Sequence, residues 1–356
     1  MTNVRANLFV ISGVLLLSCG VGCSTGSSGG SGGGTKLQMA SLQNKAGKFI
    51  EPGIASGQNA LATVNLPDDL IVWASDPAGD ESYPIVSYTW ILAYKKYSDA
   101  KKGHAVKDVL SYCLTDGQKE SEALGYIPLP IKVRDKVQAA LANISVEGDA
   151  KGETVLDGAG ATFPTPLYRK WFTMYNKAHP DVTINYQAVG SGHGVKLLMD
   201  ENVDFGASDA AMTAEQMAKV ERGVQCLPVT AGSIVLAYNL PAVDNLKLTR
   251  EAYAGIFLGK ITKWSDKAIA DANPGVKLPD QEISVVTRTG GSGTTYVFTK
   301  HLSAISEEFK KSIDVSADPK WPVGTKAKGN EGVANLIKST PGAIGYLEYG
   351  YATKGK

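Results

Sequence analysis

Four short segments of this sequence share one pattern, in which a strand-like run ends in a turn of small residues and a helix then begins. They are residues 158–164 (GAGATFP), 190–196 (GSGHGVK), 205–210 (FGASDA) and 287–295 (TRTGGSGTT). Strands that alternate with helices in this way are typical of an α/β protein. Turns of this kind also present backbone N–H groups and hydroxyls at a helix start, where anions bind. The pattern therefore predicts a fold class and a kind of ligand.

Two charged residues within these segments narrow the choice of ligand. Arg288 supplies a guanidinium, which can hold an oxyanion through two N–H groups. Asp209 supplies a carboxylate, which accepts a hydrogen bond from a protonated anion but meets only lone pairs on sulfate. Taken singly, each segment is better explained by ordinary helix capping. Together they favour an anion that carries a proton, such as hydrogenphosphate.

The charge balance and the missing motifs exclude several other functions. The 356 residues include 36 Lys+Arg and 35 Asp+Glu, so no surface for a polyanion is expected, and nucleic acid is not an expected partner. GAGATF lacks the third glycine of a dinucleotide fingerprint, and no segment matches GxxxxGK[ST]. The five tryptophans are interpreted as packing residues.

The first 23 residues have the layout of a secretory signal, with Arg5 followed by an apolar run. The residues that follow resemble a bacterial lipobox, in which a cysteine is lipidated. Leu16 and Ser18 favour Cys19 as that cysteine, and Cys23 is the alternative. An uncleaved anchor helix is the other interpretation, although the run falls short of the ~20 residues that a span needs. Residues 24–36, rich in Gly and Ser, are predicted to be a flexible tether.

Strand and helix patterns alternate through the rest of the chain. The cysteines of this part, Cys113 and Cys226, have no metal-site spacing and are interpreted as buried thiols, with a disulfide as the alternative. No metal and no cofactor are expected. Strands are predicted at residues 85–94, 182–189, 233–238, 283–287 and 343–349. Helices are predicted at residues 100–115, 133–141, 167–175, 213–221, 250–258, 296–302 and 332–338, with a further helix beginning at residue 194.

Several phrases in one chain resemble the phosphate-specific periplasmic binding proteins of ABC-type phosphate transporters. The phrases are GAGATFPTPLYRKWF (158–172), NYQAVGSGHGVK (185–196), VDFGASDAAM (203–212), LGKITKWSD (258–266), VVTRTGGSGTTYVFT (285–299) and GAIGYLEYGYA (342–352). The resemblance implies a two-lobed α/β fold of the type II periplasmic-binding-protein class, with a mostly parallel sheet flanked by helices in each lobe. It also implies a monomer outside the cytoplasmic membrane that closes on phosphate and delivers it to a permease.

The resemblance assigns the phosphate-binding residues position by position, and it implies no catalytic residue. Thr162 and Phe163 are expected in the first loop, Ser191 in the second, and Asp209 as the acceptor. The remaining contacts are expected from the other lobe, through Arg288, Ser292, Gly293 and Thr294.

The order of the segments departs from the family. Residues 83–130 resemble the family's C-terminal part but precede GAGATFP, and residues 37–51 resemble what should follow Lys356. We interpret the chain as a circular permutant, with residues 145–153 as a connector that joins the family's usual ends. One lobe then covers residues 84–238, and the other is split between residues 37–82 and 239–356.

Two local departures concern the site. Gly290 stands where the family often has an acidic residue beside the binding arginine, which puts anion discrimination in doubt. His193 stands where a small residue is usual and is interpreted as a solvated loop histidine or a residue at the cleft mouth.

Three functions follow from these interpretations. The first is a lipid-anchored phosphate receptor that is not an enzyme. The second is an engineered phosphate-sensor scaffold that uses the moved termini. The third is a phosphatase in which a serine acts with His193 and Asp209.

Overall fold

The computed structural model describes residues 36–149 and 152–353. The predicted signal, both candidate lipidation cysteines and all of the tether except Lys36 lie outside the described residues. No helix in the described ranges is long and apolar enough to cross a membrane.

The strands are named in chain order. They are β1 (Gln38–Met39), β2 (Ser41–Gln43), β3 (Phe49–Ile50), β4 (Val86–Tyr94), β5 (Lys96–Tyr97), β6 (Ser145–Val146), β7 (Thr154–Gly160), β8 (Val182–Gln187), β9 (Phe205–Ser208), β10 (Val224–Tyr238), β11 (Lys247–Leu248), β12 (Ser284–Arg288), β13 (Thr325–Ala327) and β14 (Ala343–Glu348).

The helices are named in the same way. They are α1 (Ile54–Ala62), α2 (Ala100–Leu114), α3 (Ile131–Ala142), α4 (Thr165–Ala178), α5 (Ser191–Met199), α6 (Ala214–Ala218), α7 (Arg250–Phe257), α8 (Lys267–Ala270), α9 (Gly293–Ile305), α10 (Glu307–Ser312), α11 (Gly329–Ser339) and α12 (Tyr349–Thr353). Short 3₁₀ turns occupy Asp116–Glu120 and Glu122–Leu124.

A nine-stranded sheet forms the centre of the fold, in the order β13-β12-β14-β10-β4-β9-β7-β8, with β1 also paired to β10. We call β4, β7, β8 and β9 the first half-sheet, and β1, β12, β13 and β14 the second half-sheet. Three strands of each half-sheet run parallel, namely β7, β8 and β9 in the first and β12, β13 and β14 in the second. The predicted α/β class is confirmed, and the parallel strands fit the predicted sheet type, although β4 and β10 add antiparallel pairs.

The long strand β10 belongs to both half-sheets. Its first part pairs with β4, its last part pairs with β14, and the register shifts between Pro228 and Thr230. The prediction of a strand at residues 233–238 was therefore too short, because Pro228 and Gly232 read as strand breakers in sequence but lie within β10. The predicted lobe boundary after residue 238 falls at the end of this shared strand, and the division into two lobes stays a prediction.

The predicted connector includes a short strand. Within residues 145–153, β6 pairs in parallel with β5, and residues 150 and 151 lie outside the described ranges. The role of this segment as a junction stays a prediction.

Most other predicted elements are confirmed, with bounds that differ by a few residues. The helices α5, α9 and α11 begin three residues earlier than predicted, at Ser191, Gly293 and Gly329. Glycine has low helix propensity, so sequence reasoning placed these starts too late. The side chain of Ser292 caps α9 by accepting from Thr295 N–H, which offsets that propensity.

The core combines aromatic and aliphatic side chains from both half-sheets. Trp90, Trp171 and Trp264 are fully buried, which confirms their interpretation as packing residues, and the indole of Trp90 donates to the carbonyl of Leu70. Cys113 and Cys226 are buried, unpaired thiols, as the preferred interpretation expected. Burial raises the pKa of the Cys226 thiol to about 11.

Candidate anion-binding site

The first loop begins where β7 ends, beside β9. Gly160 has a φ of +147°, and a Cβ there would lie 2.0 Å from the carbonyl oxygen of Ala207. Ala161 N–H donates to the same oxygen at 2.9 Å, which holds the chain close to β9. Only glycine allows this approach, and Thr162 follows directly at the carboxyl ends of the parallel strands, where ligands of α/β proteins bind.

Thr162 is bonded to residues from the second half-sheet. Its Oγ1 accepts from Nη2 of Arg288 at 3.3 Å and from Nδ2 of Asn330 at 3.0 Å. Its carbonyl oxygen accepts from the hydroxyl of Tyr351 at 2.6 Å. The next carbonyl, that of Phe163, accepts from the Tyr126 hydroxyl at 2.7 Å. The backbone of the first loop is thus fixed at two consecutive peptide groups.

Ser191 and Asp209 meet at the ends of β8 and β9. The backbone N–H of Asp209 donates to Oγ of Ser191 at 3.2 Å, and that hydroxyl lies 3.5 Å from Oδ2 of Asp209. Oδ1 of Asp209 accepts from the hydroxyl of Thr89 on β4 at 2.8 Å. Asp209 is only 1% exposed, so its carboxyl group is held in place by hydroxyl groups and removed from solvent.

Burial strongly affects the ionisation of Asp209. It raises the pKa of the carboxyl group to about 7, against the lowering effects of the Thr89 hydrogen bond and the Arg288 charge. Desolvation prevails because a carboxylate without nearby water lacks the hydration that stabilises its charge. Near neutral pH the carboxyl group is present in its ionised and its protonated form. The ionised form can accept a hydrogen bond from a protonated anion, and the protonated form can donate one.

Arg288 is the buried cation of the cluster. It ends β12, is 3% exposed, and has its backbone N–H bonded to the hydroxyl of Tyr346 at 3.2 Å. Nη2 of Arg288 donates to Thr162, as described above. The Nε and Nη1 groups are buried and have no hydrogen-bond partner among the described residues. Burial lowers the pKa of this guanidinium. Unpaired donors on a buried charge are costly, and an oxyanion would satisfy them.

The start of α9 closes the cluster from the second half-sheet. A Cβ on Gly293 would lie 2.4 Å from Oγ of Ser191 and 2.7 Å from Cβ of Asp209, so the two half-sheets touch there. Oγ1 of Thr294 accepts from Nδ2 of Asn330 at 3.3 Å. Ser292 has a structural task as well, because its N–H donates to the carbonyl of Ala317 and its hydroxyl caps the helix.

The structure brings most of the predicted binding residues together. Six of the eight are linked to one another by the contacts just described. They are Thr162, Ser191, Asp209, Arg288, Gly293 and Thr294. The Phe163 ring packs beside Tyr126 and Gly232, which leaves its backbone for the contact that the resemblance implies. The binding role of all eight residues stays a prediction.

Three residues of the cluster were missed by sequence reasoning. Thr89 lies in the middle of the buried strand β4, Asn330 near the start of α11, and Tyr351 in α12. Asn330 is fully buried and also accepts from the backbone N–H of Glu348 at 3.0 Å. The available signal for Thr89 was a hydroxyl residue in a strand with a strongly apolar second half, a signal that Ser87 of the same strand shares. Nothing in the local pattern distinguishes Asn330 or Tyr351.

A cavity of about 170 Å³ adjoins the cluster and is bounded in part by Thr162 and Arg288. His193 and Gly290 also line it, and His193 is exposed, which fits both interpretations made from the sequence. Gly290 has a φ of +74°, and a Cβ there would meet no atom within 4 Å. A larger residue at position 290 would therefore be opposed by backbone conformation and not by lack of space.

The histidines do not form a catalytic arrangement with the serines of the cluster. In the described ranges, no histidine ring is hydrogen-bonded to Ser191 or Ser292, and His301 is buried between Tyr253 and the carbonyl of Ser75. No cluster of three His, Cys, Asp or Glu side chains that could hold a metal ion occurs in this same part of the chain.

Known proteins resemble this chain in sequence. It is 46% identical over 199 residues to the phosphate-binding protein PstS of Pasteurella multocida, covering 55% of this chain and 57% of that protein. It is 43% identical over 199 residues to the PstS of Haemophilus influenzae, covering 55% of this chain and 59% of that protein. The chain thus spans little more than half the length of these curated relatives.

Among solved structures, a putative phosphate ABC transporter substrate-binding protein with bound phosphate from Clostridium perfringens matches with a TM-score of 0.41. It is 20% identical and covers 55% of this chain and 71% of that one. A family model described as the PBP superfamily domain matches residues 145–356, which is more than half of the chain. The chain therefore belongs to the PBP superfamily.

Proposed function

We propose that this protein binds inorganic phosphate reversibly between its two half-sheets. The observation that carries the proposal is the buried guanidinium of Arg288, whose Nε and Nη1 have no partner among the described residues. It lies in one cluster with hydroxyl groups and the buried acid Asp209. Neutral hydrogen-bond donors around one arginine are suited to binding an anion without converting it chemically.

Asp209 supports phosphate over sulfate as the ligand. Its carboxylate accepts a hydrogen bond from the P–OH group of hydrogenphosphate or dihydrogenphosphate. Fully ionised sulfate has no proton to donate, so its oxygens would be repelled by the ionised form of Asp209. The similarity to proteins named phosphate-binding protein PstS supports the same ligand.

The proposed role is delivery of phosphate to an ABC-type permease outside the cytoplasmic membrane, by a monomer that is not an enzyme. Arg288 and the hydroxyl groups can hold the anion intact, and among the described residues no histidine is hydrogen-bonded to Ser191 or Ser292 to activate it as a nucleophile. Closure of two lobes around the anion would be the working motion. Lipid attachment at Cys19, or alternatively Cys23, would keep the receptor at the membrane surface.

We also propose that the chain is a circular permutant of its family. The described ends lie side by side, since the backbone N–H of Leu37 donates to the carbonyl of Ala352 at 3.0 Å. β1 continues this contact by pairing with the last part of β10. The proximity of Leu37 to Ala352 supports the interpretation that residues 37–51 follow α12 in the family's segment order.

Calorimetric titration tests the binding function. Protein that has been unfolded and refolded to remove bound anion should release heat with phosphate at a stoichiometry of one, and should give little or none with sulfate. Arg222→Ala is the control variant, because Arg222 is stacked on Tyr94 outside the cluster. A folded protein that gives no phosphate heat, or that hydrolyses phosphate esters, would contradict the proposal.

A further inference from the structure

The cavity beside the candidate site has an unusual balance of charge. Thr162 and Arg288 form its inner wall, and Gly290 and Gly291 form part of its rim. His193 and Lys328 also line it, and none of its lining residues is Asp or Glu. We call this cavity the vestibule. It joins the buried arginine to a wall that carries only cationic or neutral groups.

Lys328 is the exposed cation of the vestibule. It precedes α11, and its ammonium group has no ion-pair partner among the residues that the structure describes. Several other lysines are paired with carboxylates, for example Lys263 with Asp280 at 2.9 Å. The N-terminal end of α11 adds a partial positive charge at the same place, of which Glu331 in the first turn offsets a part. An anion that enters the vestibule would therefore meet more positive than negative charge among the lining residues.

The size of the vestibule fits a small hydrated anion. Its volume of about 170 Å³ exceeds the ≈ 30 Å³ that a water molecule occupies in the liquid, so an anion can enter with part of its hydration shell. Gly290 and Gly291 present backbone and no side chain on their part of the rim. Gly291 lies directly across from Gly192, whose N–H donates to the Gly291 carbonyl at 3.0 Å.

We propose that the vestibule is an anion-capture site, in which Lys328 and His193 attract phosphate before it passes to Arg288 and Thr162. This inference rests on the proposed binding of phosphate. Charges that line an access path raise the local concentration of an oppositely charged ligand and speed its association, with less effect on its dissociation. Lys328 is thus a residue that sets the association rate and contributes little to the final complex.

The test is stopped-flow measurement of phosphate association and dissociation at several salt concentrations. Lys328→Met is expected to lower the association rate about two- to five-fold at low salt and to weaken its salt dependence, with the dissociation rate nearly unchanged. Lys328→Glu should lower the association rate further. The matched control is Lys326→Met, since Lys326 is exposed on β13 and does not line the vestibule. His193→Gln should act in the same direction as Lys328→Met, with a smaller effect.

Failure of this inference is separable from failure of the proposed function. If the unaltered protein binds phosphate and both Lys328 variants associate as fast as Lys326→Met at every salt concentration, the capture site is wrong and phosphate binding stands. If the unaltered, folded protein does not bind phosphate, both ideas are overturned. A folding defect is not expected to intervene, because the side chain of Lys328 is exposed and forms no cap for α11.

Discussion

Arg288 and Thr162 are separated by 126 residues in sequence, yet Nη2 of Arg288 donates to Oγ1 of Thr162 at 3.3 Å. Thr162 follows the last residues of β7 in the first half-sheet, and Arg288 ends β12 in the second. Asn330 bonds to the same threonine oxygen at 3.0 Å. The contact shows that the candidate site is assembled from both half-sheets, so a ligand held there would bind them to each other.

Removal of the Arg288 guanidinium should weaken phosphate binding severely. Arg288→Ala removes the only cation that contacts Thr162 in the described cluster, and we expect a loss of about 30-fold or more in affinity. Arg288→Lys should recover only part of this loss, because an ammonium group cannot provide the planar pair of donors. Titration calorimetry measures both variants against Arg222→Ala, and equal affinity in all three would remove Arg288 from the site.

Asp209→Asn should reduce the preference for phosphate over sulfate. The amide keeps an acceptor for the Thr89 hydroxyl but removes the charge that repels sulfate and accepts the phosphate proton. We expect phosphate to bind about ten-fold more weakly and sulfate to bind more tightly than before. Competition titrations measure the ratio, with the exposed Asp271→Asn as control. An unaltered ratio would mean that Asp209 does not select the anion.

Asp209 should also make the ligand-free protein less stable as the pH rises. Burial raises the pKa of this carboxyl group from 3.8 to about 7, so the folded state holds a proton that the unfolded state releases. The stabilising contribution is complete below about pH 4 and is lost as the pH rises through 7. Urea unfolding of the wild type and of Asp209→Asn from pH 4 to 8 should therefore give diverging curves. Parallel curves would contradict the raised pKa.

Gly293→Ala should prevent the two half-sheets from closing. Its Cβ would lie 2.4 Å from Oγ of Ser191, which is closer than real contacts allow, so one half-sheet must move away. We expect at least a ten-fold loss of phosphate affinity, with folding retained because alanine favours a helix start over glycine. Gly332→Ala is the control, since its Cβ would meet nothing closer than 3.7 Å. Wild-type affinity in Gly293→Ala would show that this contact is not needed for binding.

The permutation predicts that the chain can be relinked. A variant in which a short linker joins residue 353 to residue 36, with new ends opened between residues 149 and 152, should fold and bind phosphate as the original does. Leu37 and Ala352 are already hydrogen-bonded neighbours, so the linker has little distance to span. Thermal unfolding and calorimetry compare the two proteins. A relinked protein that does not fold would argue against the permutation.

The sequence predicted the fold class and the main helices and strands well. These predictions depend on the spacing of apolar residues and on turn-forming residues, which are both local properties of the sequence. The resemblance to the family implied that the loops of Thr162, Ser191 and Asp209 meet. In the structure these loops follow neighbouring parallel strands, whose carboxyl ends lie at one edge of the sheet. The sequence could not predict that Gly293 fits against Ser191, since that contact depends on how the two half-sheets approach each other.

The residues that were missed depend on long-range packing. Asn330 bonds to Thr162 from 168 positions away, and Tyr351 from 189 positions away, so no local pattern identifies them. β10 was predicted too short for a different reason, since a bulge accommodates Pro228 in a strand where a regular ladder would exclude it. Tertiary context decided each of these cases.

The most direct test of the central claim is a crystal structure of the protein grown with phosphate. We predict density for one phosphate within hydrogen-bond distance of Nε and Nη1 of Arg288, with one phosphate oxygen close enough to Asp209 to share a proton. Phosphate bound elsewhere, or a folded protein whose Arg288 and Asp209 remain without an anion at saturating phosphate, would contradict the account.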